Sequence, residues 1–136
     1  MVSGISHITF IVKDLNKATT FFKEIFEAKE VYYSGDKQFS ISKEKFFLID
    51  DLWIAVMEGE EVEKSYNHIA FKIDESDYDM YLERIKKLGL EIKDGRKRVI
   101  GEGNSIYFYD YDNHLFELHT GTLKTRLLRY EREQYD

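Results

Sequence analysis

A histidine-led phrase occurs twice in this chain of 136 residues. Residues 7–14 read HITFIVKD and residues 68–75 read HIAFKIDE, and each copy runs into a helical pattern. Both phrases alternate between apolar and polar residues, which is typical of a strand with one buried face. The duplication therefore predicts a fold made of two equivalent modules, each of which begins with a histidine-bearing strand.

An amphipathic helix is predicted directly after each of these strands. In the first half, apolar residues stand at positions 18, 21, 22, 25 and 26, which line one side of a helix. Positions 78, 81, 82 and 85 repeat this stripe in the second half. Ser76 with Asp79 is predicted to cap the second helix, and Gly89 is predicted to end it. The two halves thus share a strand–helix beginning.

Three more strands are predicted after each helix. Their ranges are Glu30–Tyr33, Phe39–Ile49 and Leu52–Glu58 in the first half, and Leu90–Lys93, Asn104–Asp110 and His114–His119 in the second, with a turn at Asp112 and Asn113. The plan is an α+β fold of two βαβββ modules, at about 4–60 and about 65–121, followed by a C-terminal helix at about 122–133. One module is too small to close a barrel, so we expect the two to form a cupped sheet around a shared cavity in a single domain, residues 1–136.

The composition excludes several classes of protein. A net charge of −6 argues against a general nucleic-acid binder, because neutralising phosphates needs a basic surface. No run approaches the roughly 20 apolar residues of a membrane span, and the N-terminal MVSGISHITF lacks the basic and apolar regions of a signal peptide. With no cysteine, thiol nucleophiles and zinc–thiolate sites are excluded. We therefore expect a cytoplasmic protein that binds neither nucleic acid nor a membrane.

Three residues on predicted strands could bind a divalent metal. A lone strand histidine is usually structural, but His7 and His68 occupy equivalent positions of the repeat, and the duplication would bring them face to face. Glu117 lies among apolar neighbours in HLFELHTG, where a carboxylate is costly unless it meets a positive charge, although by itself it would be a solvent-facing residue of an amphipathic strand. Two histidines and one carboxylate suit a metal with open coordination positions. His119, on the face of Glu117, is either a supporting partner of this site or a polar strand residue.

Overlaying the two halves leaves the fourth symmetric position of this site without a ligand. Residues 50–59 fall on residues 112–121, which puts Ala55 where Glu117 stands. A structural metal would need that position filled, whereas a catalytic metal needs it open for substrate or water. Trp53 should share the cavity face as an apolar wall, although it could equally be an ordinary core residue. The pattern favours a catalytic metal.

The paired H-I-x-F strands, the repeated βαβββ unit and the late F-E-L-H strand resemble the vicinal oxygen chelate superfamily. That group includes glyoxalase I, extradiol dioxygenases, bleomycin-binding proteins and fosfomycin-resistance proteins, and the resemblance covers almost the whole chain. More narrowly, the arginine-rich last helix and four segments are similar to the epoxide-hydrolase branch of the fosfomycin-resistance proteins: GISHITFIVKDL, SKEKFFLI, YNHIAF and GEGNSIYFYDYDNHLFELHTG. The resemblance implies an enzyme that adds water to the epoxide of fosfomycin and so gives an inactive diol phosphonate. The alternative natural substrate is a related epoxide or phosphonate.

The resemblance also implies roles for the site residues. His7, His68 and Glu117 would bind Mn²⁺, which the substrate chelates, and Thr9 would touch the substrate next to the metal. In the wider substrate pocket, the serine and one tyrosine would hydrogen-bond the phosphonate, and the arginines would neutralise its charge; the set is Trp53, Tyr66, Arg98, Ser105, Tyr107 and Arg126. Without the resemblance, each arginine would be an ordinary solvated surface residue. A homodimer with sites built by modules of both chains is implied as well.

Glu44 distinguishes the branches of this family. Alternation over residues 40–46 puts Ser42, Glu44 and Phe46 on one face, so Glu44 need not be superficial, although composition alone would make it a surface residue. In the hydrolase branch, a glutamate in the context S-K-E-K-F is the general base for the attacking water. The thiol-transferase branches, which add glutathione, bacillithiol or cysteine, need no such carboxylate. Two further alternatives are a non-enzymatic drug-binding protein and another metal enzyme on the same scaffold, such as a dioxygenase.

Overall fold

The computed structural model describes residues 1–37, 41–93 and 103–135. The chain divides into two compact units. The first unit comprises Met1–Lys64 together with the short segment Asp110–His114. The second unit comprises Ser65–Tyr109 and the chain from Leu115 onward.

The described residues of the first unit form a four-stranded mixed sheet and a helix. In chain order its elements are β1 (His7–Val12), α1 (Leu15–Phe26), β2 (Lys29–Tyr33), β3 (Glu44–Ile49) and β4 (Leu52–Glu58). The strand order is β1-β4-β3-β2, with β1 parallel to β4 and the other pairs antiparallel. The first strand of the module therefore lies beside the last, and β1 is an edge of the sheet.

The first helix forms where its sequence supplies both a cap and an apolar stripe. The Asp14 carboxylate accepts hydrogen bonds from the backbone N–H groups of Asn16 and Lys17, at 2.8 and 3.2 Å. Glu27 ends the helix in the left-handed conformation, with φ of 53°. A stripe of buried residues holds the helix against the sheet: Leu15, Ala18, Phe21, Phe22 and Ile25. Four of the five predicted positions are confirmed, whereas Phe26 is only half-buried.

The second unit repeats this arrangement. Its elements are β5 (His68–Lys72), a 3₁₀ turn (Glu75–Asp77), α2 (Tyr78–Lys87), β6 (Ile92–Lys93), β7 (Ser105–Tyr109), β8 (Leu115–His119) and α3 (Leu123–Tyr135). The strand order is β5-β8-β7-β6, with β5 parallel to β8. Both sheets are mixed and both modules follow the order βαβββ, so the predicted α+β class and the duplication are confirmed. No helix among the described residues is long and apolar enough to cross a membrane.

Several predicted boundaries differ from the structure. Ser76 does not cap α2, because it lies inside the 3₁₀ turn, where the N–H of Asp77 already donates to the carbonyl of Asp74 at 3.0 Å. Gly89 does follow the end of α2, with φ of +67°, as predicted. The third strand begins at Glu44, later than predicted; residues 38–40 lie outside the described part of the chain. The last helix begins one residue later than predicted because the Thr122 hydroxyl caps it, accepting from the N–H of Thr125 at 3.1 Å.

Two buried carboxylates order the segment Asp110–His114, and that of Asp112 joins it to the rest of the first unit. The Asp112 side chain accepts a hydrogen bond from the backbone N–H of Lys13 at 2.9 Å. The Asp110 carboxylate accepts from the backbone N–H groups of Asp112 and His114, at 2.9 and 2.8 Å. Asn113 takes φ of 70°, which confirms the predicted turn. Burial raises the pKa of the Asp112 carboxyl, since removal from water disfavours the charged form.

Candidate metal and substrate site

One face of the second sheet carries the predicted site residues that lie on the strands of this unit. Across the strands, Glu117 lies between Ala70 and Tyr107, and His119 lies beside Ser105. Directly paired residues point to the same side of a sheet, and so do residues two apart on one strand. The face therefore carries the side chains of His68, Tyr107, Ser105, Glu117 and His119. The prediction that Glu117 and His119 share a face is confirmed.

His68 and Glu117 form a close pair. The Nε2 atom of His68 lies 3.0 Å from Oε1 of Glu117, and the Glu117 side chain is only 7% exposed. The Nδ1 atom of His68 lies 2.7 Å from the backbone carbonyl oxygen of Tyr66. Because a carbonyl can only accept, Nδ1 carries the hydrogen, and in the neutral ring the lone pair is on Nε2.

This pair has the donor chemistry of a cation site. A lone pair on Nε2 and a carboxylate oxygen repel each other at 3.0 Å unless a proton or a metal ion lies between them. A ligating histidine commonly donates its other ring N–H to a backbone carbonyl, which orients the ring, as Tyr66 does here. His68 and Glu117 therefore fit a divalent metal.

Two further side chains surround the second oxygen of Glu117. The Ser105 hydroxyl donates a hydrogen bond to Oε2 of Glu117 at 2.6 Å. The Nδ1 atom of His119 lies 2.7 Å from the Ser105 oxygen and 3.3 Å from Oε2 of Glu117. The sequence suggested His119 as one of two alternatives, a supporting partner or a polar strand residue, and the structure connects it to Glu117 through Ser105.

An aromatic cluster borders the His68 ring. The rings of Tyr66 and Tyr107 lie 4.9 and 5.4 Å from it, and the two tyrosine hydroxyls are 3.5 Å apart. Burial raises the pKa of the Tyr107 phenol, and the hydrogen bond with Tyr66 and the charge of Glu117 act in the same direction. Tyr107 therefore remains a neutral phenol and a hydrogen-bond donor at neutral pH. Lys93, which sequence reasoning missed, places its ammonium group 5.9 Å from the centre of the Tyr66 ring.

The equivalent face of the first sheet carries His7 and Thr9. His7 pairs with Trp53, and their ring centres are 4.1 Å apart. Thr9 pairs with Ala55, which occupies in this sheet the place that Glu117 has in the other, as the overlay of the halves predicted. Trp53 is thus on the predicted face, and its indole N–H is buried without a hydrogen-bond partner among the described residues.

Glu44 lies on the same face of the first sheet. It pairs with Met57, which in turn pairs with Ile11, two residues along β1 from Thr9. Glu44 is 8% exposed. The prediction from alternation, that Glu44 need not be superficial, is therefore confirmed, and the prediction from composition, a surface residue, is wrong. Ser34, which the sequence analysis did not identify, holds the start of β3 in place. Its hydroxyl accepts a hydrogen bond from the N–H of Glu44, and its own N–H donates to the Glu44 carbonyl, both at 3.0 Å.

Of the two lysines that flank Glu44 in the sequence, Lys45 makes its contacts on the other face of the sheet. Lys45 points to the opposite face of β3, and its ammonium group lies 2.9 Å from a carboxylate oxygen of Glu30. It also donates to the hydroxyl of Thr19 at 2.8 Å. The segment S-K-E-K-F therefore places the carboxylate of Glu44 and the ammonium group of Lys45 on different faces of the sheet.

The predicted site residues are divided between the two units. His7, Thr9, Glu44 and Trp53 belong to the first unit, and the second holds Tyr66, His68, Ser105, Tyr107, Glu117 and Arg126. Among the described residues, no group of three or more histidine, cysteine or acidic side chains is placed to hold a metal ion. Arg126 is half-buried on α3, and Arg98 lies outside the described residues.

Comparisons with known proteins identify the family. Residues 4–118 match the model of the glyoxalase/bleomycin resistance protein/dioxygenase superfamily. The chain is 67% identical to the fosfomycin resistance protein FosX of Listeria innocua over 133 residues, which cover 97% of this chain and 100% of that protein. It is 43% identical to the metallothiol transferase FosB of Shouchella clausii, over 100% of this chain and 92% of that protein.

A solved structure agrees with these matches. The crystal structure of a mutant of FosX from Listeria monocytogenes, complexed with Mn(II) and 1S,2S-dihydroxypropylphosphonic acid, has a TM-score of 0.88. It is 62% identical in sequence, and the match covers 96% of this chain and 99% of that one. The chain therefore belongs to the glyoxalase/bleomycin resistance protein/dioxygenase superfamily and, within it, to the fosfomycin resistance proteins named FosX.

Proposed function

We propose that this protein is a metal-dependent hydrolase that adds water to the epoxide of fosfomycin and so inactivates the antibiotic. The observation that carries the proposal is the buried carboxylate of Glu44 on the sheet face of His7 and Thr9. The ligand named for the related FosX crystal structure, a dihydroxypropylphosphonic acid, is the product expected when water opens the epoxide of fosfomycin.

The metal ligands in this proposal are His7, His68 and Glu117. Mn²⁺ is the expected ion, because the related FosX structures are complexed with Mn(II). When bound, it supplies a Lewis acid for the oxygen of the epoxide. The donor chemistry of His68 and Glu117, one lone pair facing one carboxylate oxygen at 3.0 Å, supports this set.

Glu44 acts as the general base. Its carboxylate takes a proton from water while the water oxygen forms a bond to the epoxide carbon that bears the phosphonate. The C–O bond of the epoxide at that carbon breaks, and its electron pair goes to the epoxide oxygen. That oxygen takes up a proton from solvent to become the second hydroxyl, and Glu44 returns its proton to solvent. Thr9, on the same sheet face, touches the substrate beside this position.

The remaining predicted residues hold the phosphonate and the carbon chain. Tyr107 suits a phosphonate oxygen because its phenol remains a neutral donor. The other members of the proposed pocket are Trp53, Tyr66, Arg98 and Arg126. Ser105, for which family resemblance implies a hydrogen bond to the phosphonate, instead donates its one hydrogen to Glu117.

The second candidate function is transfer of a thiol to fosfomycin. It is supported by the 43% identity to a metallothiol transferase. A thiolate is already nucleophilic and needs no protein carboxylate to activate it, so a buried Glu44 favours water.

Phosphorus-31 NMR of fosfomycin with the protein and Mn²⁺ separates the two functions. The hydrolase gives the diol phosphonate without added thiol, and turnover in H₂¹⁸O places the label on the carbon that bears the phosphonate. Protein that is inactive without thiol and forms a thiol adduct with it would overturn the hydrolase proposal and support the transferase.

We also propose a cytoplasmic homodimer in which the chain acts as one functional domain, residues 1–136. Strands β1 and β5 are sheet edges, which favour pairing, and α3 exposes Leu123, Leu127 and Leu128. Light scattering at micromolar concentration should give twice the chain mass, and a monomer would contradict the proposal.

A further inference from the structure

We propose that Ser105 and His119 are a positioning pair for Glu117, which fixes the carboxylate so that Oε1 is the atom that binds the metal. This inference rests on the proposed metal site and adds to it. The pair touches neither the reacting atoms nor the metal; it acts through Glu117.

The two oxygens of Glu117 have different surroundings. Oε2 accepts the hydrogen bond of Ser105 at 2.6 Å and lies 3.3 Å from the Nδ1 atom of His119. Oε1 faces the lone-pair nitrogen of His68 at 3.0 Å. With Oε2 occupied by donors, the carboxylate offers one oxygen, on the side of His68, to a cation.

The direction of each hydrogen bond follows from proton counting. A carboxylate only accepts, and a serine hydroxyl has one hydrogen, so that hydrogen is the one donated to Oε2. The Ser105 oxygen can then only accept from His119, whose Nδ1 is 2.7 Å away and must carry a hydrogen. The result is a chain of donors, from His119 to Ser105 to Glu117, in which each hydrogen bond restricts the next side chain.

The hairpin of β7 and β8 builds this arrangement into the backbone. Ser105 is directly opposite His119, and Glu117 is two residues along β8 on the same face. The ladder is closed beyond Ser105 by Asn104, whose N–H donates to the Thr120 hydroxyl at 2.8 Å and whose carbonyl accepts from the Thr120 N–H at 3.0 Å. Gly103 is required next to this closure, because its φ is +82° and a Cβ there would collide with the backbone of Gly121.

The competing role for Ser105 is the one implied by family resemblance, a direct hydrogen bond to the phosphonate. The two roles differ in what a substitution changes. Loss of a positioning residue weakens metal binding, typically by about 10–100-fold, whereas loss of a substrate ligand raises the KM for fosfomycin and leaves metal affinity alone.

The test is a titration of the full-length protein with Mn²⁺ in the absence of fosfomycin, in which the EPR signal of free Mn²⁺ reports binding. We expect Ser105→Ala and His119→Ala each to weaken Mn²⁺ binding by about 10–100-fold, and the double variant to lose little more than Ser105→Ala, since His119 acts through Ser105. Ser105→Thr should restore binding because it keeps the hydroxyl, and His119→Asn should restore it because its amide N–H can donate in place of Nδ1. The matched control is Ser76→Ala, which removes an exposed hydroxyl from the 3₁₀ turn of the same unit.

Steady-state kinetics at saturating Mn²⁺ complete the test. The KM for fosfomycin of Ser105→Ala should equal that of the wild-type protein once the metal is bound. Wild-type Mn²⁺ affinity together with a raised KM would overturn the inference and make Ser105 a substrate ligand. Mn²⁺ binding is measured without turnover, so weakened binding in Ser105→Ala supports the inference even if the protein adds thiol rather than water to fosfomycin.

Discussion

Replacing Glu44 by glutamine is the substitution that decides the reaction class. The change keeps the shape of the side chain and removes its ability to accept a proton from water. Both hydrogen bonds that join Glu44 to Ser34 use the Glu44 backbone, so the substitution leaves them intact. Glu44 is only 8% exposed, so the substitution replaces a buried charge by a neutral amide. We therefore expect Glu44→Gln to be at least as stable as the wild-type protein.

The expected loss of activity follows from the role of a general base. Removal of such a base typically costs about 10²–10⁴-fold in rate, which corresponds to about 3–5 kcal/mol in the barrier. The bound metal should not rescue the reaction, because neutral water is a poor nucleophile towards an epoxide. The proposed metal ligands His7, His68 and Glu117 are unchanged. Mn²⁺ affinity and fosfomycin binding should therefore remain at their wild-type values while hydration is lost.

Three measurements check this expectation. Phosphorus-31 NMR gives the rate of diol formation, EPR gives Mn²⁺ binding, and thermal unfolding gives stability. Glu24→Gln, which changes an exposed glutamate of α1 in the same unit, is the matched control and should hydrate fosfomycin at the wild-type rate. A Glu44→Gln protein that hydrates fosfomycin as fast as the wild type would refute the reasoning and leave Glu44 a structural residue of β3.

Three further outcomes are expected. Alanine at His7, His68 or Glu117 should in each case abolish Mn²⁺ binding and nearly all activity, because three protein ligands leave no redundancy; full activity of any of them at limiting Mn²⁺ would contradict the ligand set. Asp112→Asn should raise the melting temperature most near neutral pH. The raised pKa of Asp112 means that the folded protein holds this proton more tightly than the unfolded chain, so ionisation lowers stability as pH rises above the ordinary value of 3.8. The difference in melting temperature should close on acidification towards that value, and a difference that widens there would argue against this. Tyr107→Phe should raise the KM for fosfomycin without changing Mn²⁺ affinity, and an unchanged KM would remove the phenol from the phosphonate site.

The repeat in the sequence was sufficient to predict the architecture. Alternation and helical spacing are local properties, so the order βαβββ could be predicted twice, and Leu52–Glu58 has the predicted bounds. The face on which a strand residue lies follows from alternation as well, which is why Glu44 could be expected inward despite its two lysine neighbours. Cap geometry was less predictable, because at Ser76 a 3₁₀ turn, which satisfies a backbone donor by itself, replaced the expected cap.

The tertiary structure decided which residues meet across the strands. Alternation assigns a residue to a face but does not identify its partner on the next strand, which depends on the register of hydrogen bonds between segments distant in sequence. The pairing of Ser105 with His119 is such a case, although the predicted turn at Asp112 and Asn113 carried a signal for it, since a hairpin centred there sets these two residues opposite each other. Sequence by itself determined the residue types of the site and their faces; only the folded sheet decided that Oε1 of Glu117 faces His68 while Oε2 is held by Ser105, because side-chain contacts are set by the backbone register that brings them within reach.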